Sequence, residues 1–293
     1  MSRRVINPYN IFKYGSKIAP LLPVWLGNAL CDLAGLVIFW FVPSKRKAVL
    51  CNLAHAIPER SEKERRRIAR TICKNSMRNY YDLMRVHAVN PAKRAAQVEL
   101  KDSHYVYEAY KGKGIIAIAA HQGSFSFVSQ IATYVKFDFY LTLEPIKPPK
   151  LFELVRELRE QDPRTHTIAV GGSEVRAIFR ALKEDAVVCM AIDRDVTGSG
   201  QSLKFFGEET KLPTGVAEIA LKTGASVMPI RPYRRPNGEH GIQFYPAFTV
   251  EPTGDKAADI ARAQDRMLRE IEKLIRTAPD DWVVLQPIWP DCP

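Results

Sequence analysis

No CxxC pair occurs in this chain, and its five cysteines (Cys31, Cys51, Cys73, Cys189 and Cys292) stand far apart. The odd number argues against a full disulfide framework. The six histidines are scattered and add no metal-ligand spacing. A reducing, cytoplasmic setting is therefore expected for most of the chain, with no structural zinc, and no bound cofactor is expected. Also missing are a Gly-x-Ser-x-Gly elbow, which leaves Ser124 without the usual setting of a nucleophile, and any Walker or dinucleotide pattern. The loop Thr197-Gly198-Ser199-Gly200 is read as a mobile connection rather than a phosphate cradle. There is no zinc-finger, RRM-like or helix-turn-helix pattern, so the basic charge is not that of a nucleic-acid binder. Internal repeats, low-complexity tracts and an evident linker are lacking as well.

What the sequence does have is an ordinary globular balance over 293 residues, 46% hydrophobic and 26% charged, which suffices for a sizeable core. The net charge of +11 favours partners that carry negative charge, such as anionic lipid headgroups or an acidic carrier, without choosing among them.

The N-terminus is apolar from Ile18 to Val42, interrupted by Pro20, Pro23, Gly27, Asn28, Asp32 and Gly35, and closed by Pro43. No small-residue cleavage site marks it as a signal peptide. Its length would permit a spanning helix. However, Asn28 and Asp32 are four apart and share one helical face, and a carboxylate in lipid is costly. The expectation is a helix lying in or dipping into the inner leaflet, with a single span and a core helix as the alternatives. The cluster Ser44-Lys45-Arg46-Lys47 beside it suits the cytoplasmic face of the cytoplasmic membrane. Residues 1–60 are thus expected to form a membrane-associating helical element, and residues 61–293 an α/β domain.

Residues 60–86 carry a capping-box pattern at Ser61 and Glu64, with an apolar stripe of Ile68, Ile72, Met77, Tyr80, Tyr81 and Met84. Arg65-Arg66-Arg67 read as a solvated face. Short apolar runs then alternate with helical stretches. Strands are expected at Ile115–Ala120, Phe139–Leu143, Thr167–Val170, Ala186–Ile192, Ser226–Pro232 and Ile242–Val250. Helices are expected from Ser124, at Pro149–Glu160, Ser173–Lys183, Gly215–Thr223 and Ala257–Arg276. This alternation implies an α/β fold with a mostly parallel sheet flanked by helices.

In such sheets ligands bind at the carboxyl ends of the strands. Ile115–Ala120 runs into His121, and Ala186–Ile192 runs into Asp193-Arg194-Asp195. If the two strands are parallel, an imidazole and a carboxylate emerge at one edge, the arrangement that general-base activation of a hydroxyl requires.

The order and spacing of features over most of the chain resemble the late lipid A acyltransferases and phosphatidylinositol mannoside acyltransferases. The matching residues are Asn52-Leu53, His121, Glu144-Pro145, Arg159, Asp193-Arg194-Asp195 and Phe205-Phe206-Gly207. Pro213, Gly215, Leu221-Lys222-Thr223-Gly224-Ala225, Trp282 and Trp289 complete the set. The resemblance implies a membrane enzyme of lipid biosynthesis that needs no metal. It would move a fatty acyl group from acyl-acyl carrier protein or acyl-CoA to a glycolipid or lysolipid hydroxyl. His121 is then expected to be the general base, with Asp193 or, second, Asp195 as its acid. Arg194 and the amides after His121 would stabilise the oxyanion. Glu144 and Arg159 would shape the acceptor pocket, and the apolar run before His121 and the early helices would line an acyl channel.

Two departures stand out. The family places an acid five residues after the histidine, and here that position is Ser126. Either Asp193, Asp195 or Glu144 supplies the acid from elsewhere, or Ser126 orients His121 by a hydrogen bond, or the chain is a relic that binds acyl lipid without turnover. Gln286-Pro287-Ile288 also replaces the basic residues usual before the final tryptophan.

Overall fold

The computed structural model describes residues 7–88, 90, 96, 98–126, 137–171, 175–235 and 237–293. The prolines divide the apolar N-terminus into α1 (Pro8–Ile18), a short 3-10 turn (Ala19–Leu21), α2 (Val24–Phe41) and α3 (Pro43–Ala56). Pro43 opens α3 at its first position, where a missing N–H costs nothing. Arg46 reaches back from there to the carbonyls of Phe39 and Trp40 and satisfies the end of α2. The next helix, α4 (Glu62–Arg85), has the expected capping box, with both reciprocal bonds between Ser61 and Glu64 formed.

α2 lies along α4 at close range. A Cβ at Gly35 would sit 2.5 Å from the Cα of Lys74, so only glycine allows the approach. Asp32 accepts a forked pair of 2.8 Å bonds from Arg78, and its charge is answered by protein. The opposite side of α2 is bare. Leu30, Leu33, Val37, Trp40 and Phe41 follow one another at helical spacing and are all exposed, as is Trp25. By length and composition α2 could cross a membrane, with a mean hydropathy of 1.7 over 18 residues. A core helix would be covered all round, and this one is covered on one side only.

The seven-stranded sheet is built from β1 (Val98–Lys101), β2 (Ile115–Ala119), β3 (Phe139–Leu143), β4 (Thr165–Ala169), β5 (Val187–Ala191), β8 (Ser226–Arg234) and β9 (His240–Phe244). Its order is β1-β9-β8-β2-β5-β3-β4, and every pair is parallel except β8 with β9. Helices α5 (His104–Ala109), α6 (Pro149–Arg159), α7 (Val175–Lys183), α8 (Gly215–Thr223) and α9 (Lys256–Thr277) accompany it. β2 shows why a central strand is apolar throughout. Ile116, Ile118 and Ala120 join the core on one face, where residues of α7, α8 and α9 pack. Ile115, Ala117 and Ala119 join a second core on the other face. Truncating Ile118 to alanine there would cost about 2–5 kcal/mol.

The mostly parallel sheet flanked by helices is the architecture expected from the alternation of runs. Three details differ. β9 ends at Phe244 and is antiparallel to β8. β1 was not foreseen, nor was the hairpin of β6 (Gln201–Phe205) and β7 (Glu208–Leu212), whose residues are mostly polar and exposed and give no apolar run to read. The helix expected from Ser124 falls largely outside the described residues, as does the start of the one expected at Ser173.

The cysteines form one bridge and no full framework among the described residues. Cys51 on α3 and Cys292 near the C-terminus, 241 positions apart, are joined, with their Cα atoms 5.6 Å from each other. The chain after α9 runs back as a strap over α3, where Asn52 donates to the carbonyl of Gln286 at 2.8 Å and accepts from the amide of Ile288 at 3.0 Å. Spacing along the chain carries no trace of such a return. Cys31, Cys73 and Cys189 are free.

Candidate active site

β2 and β5 are neighbours in parallel register, with Ala119 opposite Ala191, so both strands deliver their following loops to one edge. There His121 and Asp193 meet. The ring Nδ1 of His121 lies 2.7 Å from one carboxylate oxygen of Asp193, and the backbone amide of His121 donates to the other at 3.0 Å. The indole N–H of Trp282 donates to that same oxygen at 2.9 Å. Asp193 is wholly buried, whereas His121 keeps about a fifth of its side chain exposed, at 21%. Burial by itself would raise the Asp193 carboxyl. The opposing charge of a protonated His121 and the bonds from His121 and Trp282 outweigh it and hold the group below the usual carboxylate range. In the neutral imidazole the proton sits on Nδ1 towards the carboxylate, and Nε2 keeps its lone pair for a substrate.

The loop after β2 is fixed to an unusual degree. Gly123 adopts φ +53°, and a Cβ there would lie 2.2 Å from the carbonyl oxygen of Pro232 on β8. Its amide donates to the carbonyl of Asp281 at 2.8 Å, and the amide of Val283 donates back to the carbonyl of His121 at 2.9 Å. The C-terminal strap thus pairs with residues 121–123 like a short extra strand and carries Trp282 to the dyad. Gln122 turns the other way and donates to the carbonyls of Leu274 and Ala278, capping α9. Because the amide of Gln122 donates to Ala120 and that of Gly123 to Asp281, neither is available to an oxyanion. For these two amides the expected oxyanion role is corrected.

His121 lines a cavity of about 220 Å³ whose walls include Phe12 from α1, Leu83 from α4, Leu141 and Leu143 from β3, and Val155 from α6. The N-terminal helices therefore cover the strand ends and supply apolar wall. Glu144 and Arg194 line this cavity as a pair, with Arg194 donating to Glu144 at 2.8 Å, and the Nε of Arg194 is buried without a partner. Arg159 lines the same space with its Nε likewise unpaired, and its guanidinium lies 5.7 Å from the centre of the Phe125 ring. Burial lowers Arg159 to about 10, which leaves it cationic near neutrality.

A second cavity, of about 200 Å³, shares Tyr80, Leu83, Phe125 and Arg159 with the first and is more polar, being lined also by Lys45, Asn79, Ser126 and Gln286. Ser126 is buried there. Asp195 belongs to neither cavity. It accepts bonds from the amides of Thr197, Gly198 and Gly200, at 2.9, 3.0 and 2.8 Å, so the glycine-rich loop is wrapped round its carboxylate. Of the residues singled out in the sequence, His121, Glu144, Arg159 and Arg194 line the first cavity and Asp193 lies against His121. Sequence reasoning ranked Asp193 ahead of Asp195, and Asp193 is the one that meets the histidine. It gave no place at the site to Trp282, which bonds Asp193, or to Asn79, which lines the second cavity. The tryptophan carried a signal in its spacing. Asn79 had none, being one polar position on an amphipathic helix.

A sequence profile of the bacterial lipid A biosynthesis acyltransferases matches residues 12–290. The chain is similar to the phosphatidylinositol mannoside acyltransferase of Mycolicibacterium smegmatis, at 27% identity over 215 residues, covering 72% of this chain and 69% of that protein. It is likewise similar to the protein of the same description from Mycobacterium tuberculosis, at 28% over 218 residues, covering 72% and 67%. Among solved structures, the 1-acyl-sn-glycerophosphate acyltransferase PlsC of Thermotoga maritima aligns over 84% of this chain and 97% of its own, with a TM-score of 0.37 and 14% identity.

Proposed function

We propose, since this chain belongs to the family of bacterial lipid A biosynthesis acyltransferases, that it transfers a fatty acyl group from a thioester to a hydroxyl of a glycolipid or lysolipid, with His121 as general base. That it is an acyltransferase acting on lipid follows from the family. The donor, acyl-acyl carrier protein or acyl-CoA, and the role of each residue are this proposal. The observation that carries it is the dyad of His121 and Asp193, 2.7 Å apart beside a largely apolar cavity.

In this mechanism Nε2 of His121 takes the proton of the acceptor hydroxyl as its oxygen bonds to the thioester carbonyl carbon. Asp193 stabilises the imidazolium that forms. The carbonyl electrons move onto oxygen, to which we assign the buried, unpaired Nε–H of Arg194 on the same cavity as donor. The C–S bond then breaks, and the leaving thiolate takes the proton back from His121. Leu141, Leu143, Val155 and Phe12 offer the acyl chain an apolar seat, while Arg159, Asn79 and Ser126 face the acceptor's polar part.

We place the protein at the cytoplasmic face of the cytoplasmic membrane. The bare apolar side of α2 and the basic start of α3 support this, as does the net charge of +11, which suits anionic lipid and an acidic carrier alike.

The test is release of free thiol from a panel of acyl thioesters, on coenzyme A and on carrier protein, in the presence of bacterial lipid extract. The wild type should release thiol and yield a newly acylated lipid. His121→Ala should lose about 10²–10⁴-fold in turnover while still binding lipid vesicles. A fully active His121→Ala would overturn the mechanism. A wild type that binds acyl lipid but releases nothing above the variant would mark a binding protein.

A further inference from the structure

Between α3 and the C-terminal end of the strap, four donor side chains from two distant segments converge. Cys51 and His55, four apart, project from one face of α3, and Asp291 and Cys292 come from the C-terminal end. One ligand-capable atom of each lies within 4.8 Å of all the others. We propose that in the reduced protein this cluster binds one thiophilic divalent cation of the zinc type, and that the joined cysteines are its oxidised, metal-free counterpart.

A disulfide explains the two cysteines but not the rest of the arrangement. Nε2 of His55 stands 3.1 Å from a carboxylate oxygen of Asp291. Two ligands on a tetrahedral zinc with bonds of about 2.0–2.1 Å are separated by roughly 3.3 Å, so this pair already spans one edge of such a site. The His55 ring is held in its plane by stacking on Trp289, with centroids 4.3 Å apart and an interplanar angle of 15°. The i, i+4 spacing of a cysteine and a histidine on one helix turns both towards one point. The donor set, two sulfurs, an imidazole and a carboxylate, suits zinc and not a hard cation such as magnesium or calcium. Of the four residues only Asp291 is largely open to solvent, its side chain being 66% exposed beside 16% for His55.

The two forms exclude each other. Metal binding joins two thiolates and the two other donors to the cation and releases two thiol protons to solvent, with no electron transferred. The sulfurs must then part to about 3.8 Å, as two bonds of about 2.3 Å at a tetrahedral angle require. From the joined form, a reductant must first supply two electrons. Either form would tie the strap to α3. The strap matters because Trp289 stacks in turn on Phe205, with centroids 5.7 Å apart, and Trp282, seven residues before Trp289, bonds Asp193.

The full chain, reduced with a phosphine under anaerobic conditions and freed of reductant, should be titrated with zinc and with cobalt. The expected result is one equivalent of metal per chain, a thiolate-to-cobalt charge-transfer band, and a higher melting temperature with zinc than without. Cys51→Ser should abolish the band. Asp291→Asn alters an exposed side chain and so preserves the fold. It should weaken zinc binding by about tenfold or more yet leave disulfide formation under oxidant unchanged. A reduced, folded wild type that takes up no zinc would overturn the proposal, as would zinc binding that Asp291→Asn and Cys51→Ser leave intact.

Discussion

Asp193, on the sheet side of the site, uses both carboxylate oxygens to accept from His121 and Trp282. Asn79, on α4 across the second cavity, is also buried, yet neither polar atom of its amide has a partner. An unpaired buried amide costs about 1–3 kcal/mol, a penalty folding alone would not retain. The contrast teaches how labour is divided. Around Asp193 the wall that would carry the chemistry is held by the protein's own bonds, the Nε of Arg194 being left open, while at Asn79 the wall of the polar cavity keeps both a donor and an acceptor open for a ligand to complete.

The largest effect should follow from breaking the rigid wall. Asp193→Asn removes the charge that stabilises the imidazolium and leaves His121 in the wrong tautomer, so turnover should fall about 10²–10⁴-fold. Ser126→Ala is its control. If Asp193 is the acid of the dyad, losing Ser126 should cost no more than about tenfold, the worth of one neutral hydrogen bond. Equal losses in kcat for the two variants would instead make position 126 the essential partner.

Trp282→Phe keeps the ring and deletes one bond to a charged group, which is worth about 1.5–3 kcal/mol. We expect kcat to fall about tenfold or somewhat more, with a signature in pH. The carboxyl of Asp193 is depressed in the folded protein, so the stability it contributes is present above its unfolded value of about 4 and is lost as pH falls through the folded value. Trp282 is one of the donors that depress it. In Trp282→Phe that loss should therefore begin at a higher pH, seen as earlier acid unfolding and a raised acid limb of the rate profile. An unchanged acid limb would make the tryptophan a packing residue only.

On the open wall the expected change is smaller and of another kind. Asn79→Ala removes an amide that bonds nothing in the protein, so its melting temperature should hold or rise. The KM for the lipid acceptor should rise by up to about tenfold with kcat retained, the pattern of a lost ground-state contact. A fall in kcat at unchanged KM would erase the distinction between the walls.

Much of this architecture was legible because it rests on local pattern. The all-apolar β2 and β5, the capping box at Ser61 and the strand-end position of His121 are each set by neighbours within a few residues. The sequence favours Asp193 over Asp195, but the cause of that choice was not legible. Both follow the same strand, and the decision lies with the loop of residues 197–200, whose amides wrap Asp195. The return of the strap was also hidden, because the contacts of Trp282 with Asp193 and of Cys292 with Cys51 join segments separated by most of the chain.

Asp281 offers the finest test of whether the sheet-side wall holds all its carboxylates as it holds Asp193. Its backbone carbonyl anchors Gly123, but among the described residues its side chain forms an ion pair with Arg231 alone, at 3.6 Å. Burial, reinforced by the charge of Asp280, pushes its carboxyl up to about 6 in spite of Arg231 and Arg234. The sign is opposite to that of Asp193. The folded state favours the protonated form, so stability declines as pH rises from about 4 towards 6 and is not regained above it. Asp281→Asn keeps the shape and removes the charge. It should stabilise the protein by up to about 3 kcal/mol near pH 8 and by next to nothing near pH 4, with turnover little changed. A variant less stable than wild type near pH 8 would mean that the ion pair with Arg231 outweighs desolvation, and that this carboxylate, like Asp193, is held in its charged form.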